Sequence, residues 1–214
     1  MRNRNMADKM SKNRTLIYNS MDGKVKVLLE ERGVDEAYLQ RGVTLYGETE
    51  TYLRQVDVER QDQKRAYDEY HVQKDSVQEQ MDDDLKLVRT LSRKDKDLQN
   101  RLELTTGRAT AVEQWIEKGL RFYSLLLQEP EFVTKLAKFK LDAHTIAANQ
   151  QTLSNLKVLR DTAQKEKGEA QEATRLRNEK MEELEDYCYE LKALAQLALK
   201  GKPQLLEKLG ITVR

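Results

Sequence analysis

Apolar residues recur every three to four positions through most of the chain, and no stretch alternates apolar and polar residues as a half-buried strand does. Between Leu39 and Leu91 they follow heptad spacing, with a more polar stretch from Arg60 to Lys74. This pattern predicts one long helix from about Asp35 to about Ser92. Its apolar positions are Leu39, Tyr46, Leu53, Val56, Tyr67, Tyr70, Val77, Met81, Val88 and Leu91.

A second apolar stripe predicts another long helix, from Glu131 to about Lys200. Its residues are Phe132, Leu136, Phe139, Ala143, Ile146, Leu153, Leu156, Met181, Leu184, Leu191 and Ala195. The stripe thins near residues 166–169, so either long helix could be continuous or could bend, the first near residues 60–74. Shorter helices are predicted from Thr15 to Glu31, from Ala109 to Gln128 and from Pro203 onward.

A single helix cannot bury its own apolar stripe, so the helices must pack side by side. We therefore predict an all-α fold: an elongated helical bundle or antiparallel coiled coil, with two long helices and shorter flanking helices.

The segment LQNRLELTTG (residues 98–107) shares its leucine spacing with LLEKLGITVR (residues 205–214). The match extends to residues 84–105 and 190–212 if Gly201 is an insertion, and both segments break and restart a helix. VLLEERGVDEAYL resembles LLLQEPEFVTKL more loosely. We predict an internal duplication, with repeats at residues 15–107 and 108–214 packed as one elongated domain. Residues 1–14 are expected to form a basic, disordered arm.

Charged residues make up 35% of the chain, but 38 basic and 37 acidic residues nearly cancel, so no global field attracts nucleic acid. The local exception is the arm, where candidate contacts to phosphate or to an acidic partner are Arg2, Arg4, Lys9, Lys12 and Arg14. Cys188 is the only cysteine and is expected to be a small buried residue. No apolar run suits a membrane span or signal peptide, which favours the cytoplasm and argues against a membrane partner.

The residue types that carry catalysis or bind metals are sparse. His71 and His144 are the only histidines, and with one cysteine they cannot build a closed zinc site or a di-iron centre. Gly-rich phosphate loops and nucleophile elbows are also missing from the sequence. We therefore predict no catalytic residues, no cofactor, no metal and no enzymatic activity.

Aromatic residues concentrate around Pro130. They are Trp115, Phe122, Tyr123, Phe132 and Phe139. A packed junction between helices is the simplest interpretation, and a partner-binding patch is the functional alternative. Lys118, Arg121, Lys135, Lys138 and Lys140 surround this group, so residues 115–140 also form a candidate nucleic-acid surface.

The leading hypothesis is a non-enzymatic structural or protein-interaction protein: a helical scaffold, spacer or assembly component that binds a protein partner or associates with itself. The first alternative is a nucleic-acid-binding protein that uses the basic arm and residues 115–140. The second is a helical bundle that binds a small molecule or a metal.

Overall fold

The computed structural model describes residues 2–105 and 111–212, with side chains from Asn5 onward. Every regular element within these ranges is helical, which confirms the predicted all-α class. The α-helices are α1 (Arg2–Ser20), α2 (Gly23–Glu30), α3 (Glu36–Leu91), α4 (Lys96–Arg101), α5 (Val112–Leu127), α6 (Pro130–Leu136), α7 (Ala143–Ala198) and α8 (Pro203–Lys208). A short 3₁₀ helix, Ala137–Phe139, follows α6.

The chain forms two compact units, and both long helices contribute to each of them. Unit 1 comprises Met1–Arg60 and Glu169–Arg214, and unit 2 comprises Gln61–Gly168. Each unit therefore combines the N-terminal part of one long helix with the C-terminal part of the other.

Unit 1 has a core formed by α1, α2, α8 and the parts of α3 and α7 that belong to it. Its most deeply buried side chains are Ile17, Val25, Leu29, Leu39, Leu184, Leu191, Ala195 and Leu199. Inside this unit α3 and α7 run antiparallel, since Tyr187 on α7 donates its hydroxyl to the carbonyl of Tyr38 at 3.0 Å. Further along, Thr49 on α3 donates to the carbonyl of Lys180 at 3.3 Å.

The ring of Tyr187 also stacks on Tyr38, with 5.0 Å between ring centroids, and crosses directly over Gly42. A Cβ at Gly42 would lie 2.4 Å from Cε1 of Tyr187. The glycine is therefore what permits this close approach of α7 to α3.

Unit 2 has a separate core formed by α4, α5, α6 and the remaining parts of α3 and α7. Its most deeply buried side chains are Val88, Leu102, Ile116, Tyr123, Leu126, Leu136, Leu141, Ile146, Leu153 and Leu156. Helices α5 and α6 are joined by only two residues, and buried side chains of both helices contribute to this core.

Most helix boundaries of the described chain recur at a separation of 107 residues. Helices α3 and α7 both have 56 residues and begin at Glu36 and Ala143. Helices α4 and α8 both have 6 residues and begin at Lys96 and Pro203. We call two residues that are 107 positions apart counterparts.

The turns before the two long helices have the same hydrogen bonds. Gly33 and its counterpart Lys140 have left-handed φ values of 85° and 65°. The next residue donates its N–H to a carbonyl five positions earlier, at 3.1 Å in the first turn and 3.3 Å in the second, which is the pattern of a Schellman C-cap. Asp35 and Asp142 then accept a backbone N–H at 2.8 Å and so cap α3 and α7.

The turns after α4 and α8 also match. Glu103 and its counterpart Gly210 have φ values of 54° and 73°, and each precedes an N–H that bonds five positions back at 3.0 Å. A salt bridge ties α4 to the loop after α5, and another ties α8 to the loop after α1. Arg101 pairs with Glu129 at 2.6 Å, and the counterpart pair is Lys208 with Asp22 at 2.9 Å.

Several predicted boundaries were wrong. The expected disordered arm is part of α1, which begins at Arg2, and Met10 is buried in the unit 1 core. The helix predicted from Thr15 to Glu31 is interrupted, because α1 ends at Ser20 and Gly23 begins α2. The helix predicted from Glu131 breaks after α6, where Lys140 takes the conformation that Gly33 takes earlier. Helix boundaries on both sides of Gly201 keep the 107-residue separation, so the helix ends correspond without an insertion at that position.

Substitution of Gly42 by alanine should destabilise unit 1, because the new methyl group would meet the ring of Tyr187. Overpacking of this kind costs about 1–3 kcal/mol in the free energy of unfolding. Gly47 lies on the same helix, and a Cβ added there would have no heavy atom within 4 Å, so Gly47→Ala should stabilise by about 0.5–1 kcal/mol. Urea denaturation of both variants measures the difference, and equal stabilities would contradict the close contact.

Candidate partner-binding groove

Unit 2 contains a groove of about 550 Å³ between the C-terminal part of α3, the turn after α4, and the start of α5. Its apolar lining consists of Met81, Leu85, Leu102, Leu104, Ala111, Val112, Trp115, Phe122 and Leu125. Its polar lining consists of Lys74, Gln78, Asp82, Arg89, Glu103, Lys118 and Arg121. Four of these side chains are basic and two are acidic, so the rim carries an excess of positive charge.

The turn after α4 positions one wall of this groove. The left-handed conformation of Glu103 ends α4 and turns Leu104 towards the lining. The Glu103 carboxylate pairs with Arg121 on α5 at 2.5 Å, and Arg89 on α3 donates to the carbonyl of Leu104 at 3.5 Å. These contacts hold the turn against both α3 and α5.

A buried carboxylate fixes α5 against the two long helices behind the groove. Asp84 is only 5% exposed and accepts hydrogen bonds from the Tyr123 hydroxyl and the Asn149 amide, both at 2.8 Å. Gln80 donates to its other oxygen at 3.1 Å. Burial and then the nearby Asp84 charge raise the pKa of the Tyr123 phenol well above its usual range, so this hydroxyl remains a donor.

The structure divides the predicted aromatic patch. Phe122, Tyr123 and Phe132 are buried, Trp115 is partly buried, and Phe139 is 55% exposed. Only Trp115 and Phe122 line the groove. The remaining wall comes from α3 and from the turn after α4, which the sequence pattern did not connect with the aromatic residues. The leucine spacing of LQNRLELTTG is the one sequence feature that points to this wall, since Leu102 and Leu104 lie in that turn.

The predicted basic contacts belong to α1, in unit 1. Lys9 pairs with Glu185 at 2.6 Å, the Arg14 guanidinium lies 5.8 Å from the centroid of the Tyr18 ring, and Lys12 is exposed. The side chains of Arg2 and Arg4 lie outside those described. Of the basic residues around the aromatic patch, Lys118 and Arg121 line the groove, whereas Lys135, Lys138 and Lys140 are exposed elsewhere on unit 2.

The residues considered for chemistry occupy ordinary environments. His71 and His144 are exposed on α3 and α7. Cys188 is buried in the unit 1 core, as predicted, and burial followed by the charge of Glu185 raises the pKa of its thiol to about 12. Within residues 2–105 and 111–212, no helix combines the length and apolar character needed to cross a membrane.

Comparisons with known proteins found no matching family model, no similar curated protein and no similar solved structure.

Replacing Tyr123 by phenylalanine should lower the free energy of unfolding by about 1–3 kcal/mol, since the buried Asp84 carboxylate then loses one of its donors. The control is Tyr189→Phe, at a side chain that is 78% exposed and should change stability by less than about 0.5 kcal/mol. Chemical denaturation followed by circular dichroism compares the two. If both variants had the free energy of unfolding of the wild-type protein, the hydrogen bond from Tyr123 to Asp84 would not contribute to stability.

The thiol of Cys188 should resist alkylation in the folded protein at pH 9, where the thiol of an unfolded chain is substantially ionised. The folded thiol stays protonated until about pH 12 while the unfolded thiol ionises from about pH 9. The stability contributed by Cys188 is therefore complete below pH 9 and is lost as the pH rises towards 12. Iodoacetamide labelling read by mass spectrometry, with and without urea, measures the protection. Equal labelling rates in both conditions would refute it.

Proposed function

We propose that this protein is a non-enzymatic helical scaffold that binds a partner protein through the groove of unit 2. The observation that carries the proposal is the groove itself, which the chain's only tryptophan and eight other apolar residues line between three helical segments. Partly exposed aromatic side chains in a concave apolar surface are typical anchors of protein interfaces.

The counterparts of the groove residues support a specialised role for unit 2. Leu85, Val112, Trp115, Phe122 and Leu125 correspond in unit 1 to Lys192, Asn5, Asp8, Thr15 and Tyr18. The same helical framework therefore carries polar residues at most of these positions in unit 1. The framework keeps apolar residues at the counterparts of Met81, Leu102 and Leu104, which are Cys188, Leu209 and Ile211. It does not require them at the other positions, which favours a ligand as the reason for the wider apolar lining in unit 2.

The charge of the rim favours an acidic partner. Lys74, Arg89, Lys118 and Arg121 outnumber Asp82 and Glu103, so an acidic segment that inserts apolar side chains complements the groove in both charge and polarity. A short amphipathic helix with acidic residues on its polar side is the simplest segment of this kind.

We also propose that the chain is an internal duplication, with repeats at residues 15–107 and 108–214 as the sequence pattern predicts. The shared 107-residue separation of helix ends, left-handed turn residues, capping aspartates and salt bridges supports this. Identical helix lengths alone would be weaker support, since helical sequences share periodicity. The matching turns require the same local conformation at the same register.

Trp115 fluorescence can test the groove with two synthetic peptides that share one apolar face and differ only in glutamate or lysine on the polar face. The glutamate peptide should bind, shift the emission, and bind more weakly as salt is added. Leu85→Lys introduces the residue found at the counterpart position Lys192 and should weaken binding about tenfold or more.

The matched control is Val58→Lys, which adds the same charge at an exposed valine outside the groove and should leave binding unchanged. Equal affinities of the Leu85→Lys and Val58→Lys variants for the glutamate peptide would contradict the proposed site. Preference for the lysine peptide would contradict an acidic partner.

A further inference from the structure

The two units differ most sharply at one position in their cores. In unit 2 a polar quartet consists of Gln80, Asp84, Tyr123 and Asn149, in which the buried Asp84 accepts hydrogen bonds from the other three. The counterparts of these residues in unit 1 form a quartet that contains no charged or amide side chain. It consists of Tyr187, Leu191, Leu16 and Gly42, in the same order.

Each quartet combines residues from both halves of the chain. Gln80 and Asp84 lie on α3, in the first half, and their partners Tyr123 and Asn149 lie on α5 and α7, in the second half. In unit 1 the roles are reversed, because Tyr187 and Leu191 come from the second half and Leu16 and Gly42 come from the first. Within each quartet the residues from the two halves are complementary in polarity and size. They would not be complementary to the counterparts of their partners.

The quartets would be mismatched if the first half of one copy of the chain packed against the first half of a second copy. Asp84 would then face Leu16 and Gly42 and would lose the hydrogen bonds of Tyr123 and Asn149. A buried carboxylate without these donors is strongly destabilising.

The second half is equally unsuited to packing against itself. The Tyr187 ring would lie over Asn149, although a single Cβ at the counterpart Gly42 already falls within 2.4 Å of that ring. Leu191 would in addition leave the Tyr123 hydroxyl without the carboxylate that it now binds.

The salt bridges of α4 and α8 do not discriminate in this way. Arg101 and Lys208 are counterparts with the same charge, and so are their acidic partners Glu129 and Asp22. A first half paired with another first half would still join Arg101 to Asp22. These two salt bridges therefore do not contribute to the choice between the two pairings.

We propose that the two quartets make each half of the chain pack with the other half of the same chain and prevent like halves of two copies from pairing. The proposal rests on the counterpart positions and on the core contacts, and it is independent of the groove. Its physical basis is the cost of burying a polar group without a partner, which acts only in the wrong pairing.

A full-length exchange variant tests the rule. It combines Gln80→Tyr, Asp84→Leu, Tyr187→Gln and Leu191→Asp, so that like halves of two copies become matched and the two halves of one chain become mismatched. Light scattering coupled to size exclusion should give about twice the molar mass of the wild-type chain, as expected for two copies that exchange halves. A folded exchange variant with the wild-type mass would overturn the proposal.

An eight-residue variant provides the rescue. It adds Leu16→Tyr, Gly42→Asn, Tyr123→Leu and Asn149→Gly to the exchange variant, which restores matching within one chain. It should recover the wild-type mass and raise the denaturation midpoint above that of the exchange variant. If the exchange variant does not fold, recovery of helicity in the eight-residue variant supports the rule, and failure to recover overturns it.

Discussion

Antiparallel pairing of α3 with α7 is the constraint on which the rest of the structure depends. Neither long helix can bury its apolar face by itself, so each must pack against another helix. Each unit therefore contains part of the long helix from the first half of the chain and part of the long helix from the second half. In unit 1 the pairing is close enough to require Gly42 beneath the Tyr187 ring. The short helices then cover the apolar side of the pair, with α1, α2 and α8 in unit 1 and with α4, α5 and α6 in unit 2.

A common framework with different side chains links the core to the proposed function. Asp84 holds Tyr123 on α5, and the same helix carries Trp115 and Phe122 into the groove. The polar core of unit 2 therefore positions the surface that we propose binds a partner. The corresponding core positions of unit 1 are occupied by two leucines, a tyrosine and a glycine, and its corresponding surface positions are largely polar. Unit 1 has a largely apolar core at these positions, whereas unit 2 combines a polar core with the surface that we propose binds a partner.

The sequence predicted the helices that have strong periodicity and missed the breaks that lack a glycine or proline signal. The bounds of α3 were predicted within one residue, because Gly33 and Asp35 mark its start. The start of α7 was missed because Lys140 takes a left-handed conformation that lysine rarely adopts. Leu136 and Leu141 on either side of it are buried in the unit 2 core, and burial by other helices is not visible in the local sequence.

The candidate site was predicted only in part for a similar reason. Trp115 and Phe122 were identified as aromatic residues near basic ones, but periodicity could not separate them from Tyr123 and Phe132, which are core residues. Side-chain burial depends on which helices meet, and the groove wall formed by Leu85 and Leu104 is distant in sequence from Trp115.

The sequence by itself determined the helical class, the two long helices and the near-neutral charge, because these follow from periodicity and composition. Tertiary structure alone decided that each unit is assembled from both halves of the chain and that Asp84 is a buried, hydrogen-bonded carboxylate. It also decided which aromatic residues reach the groove. A heptad pattern indicates that one face of a helix is apolar, but it does not indicate which other helix packs against that face. The 107-residue spacing of LQNRLELTTG and LLEKLGITVR is also a structural spacing, because the turns near both ends of each long helix share their conformations and hydrogen bonds at that separation.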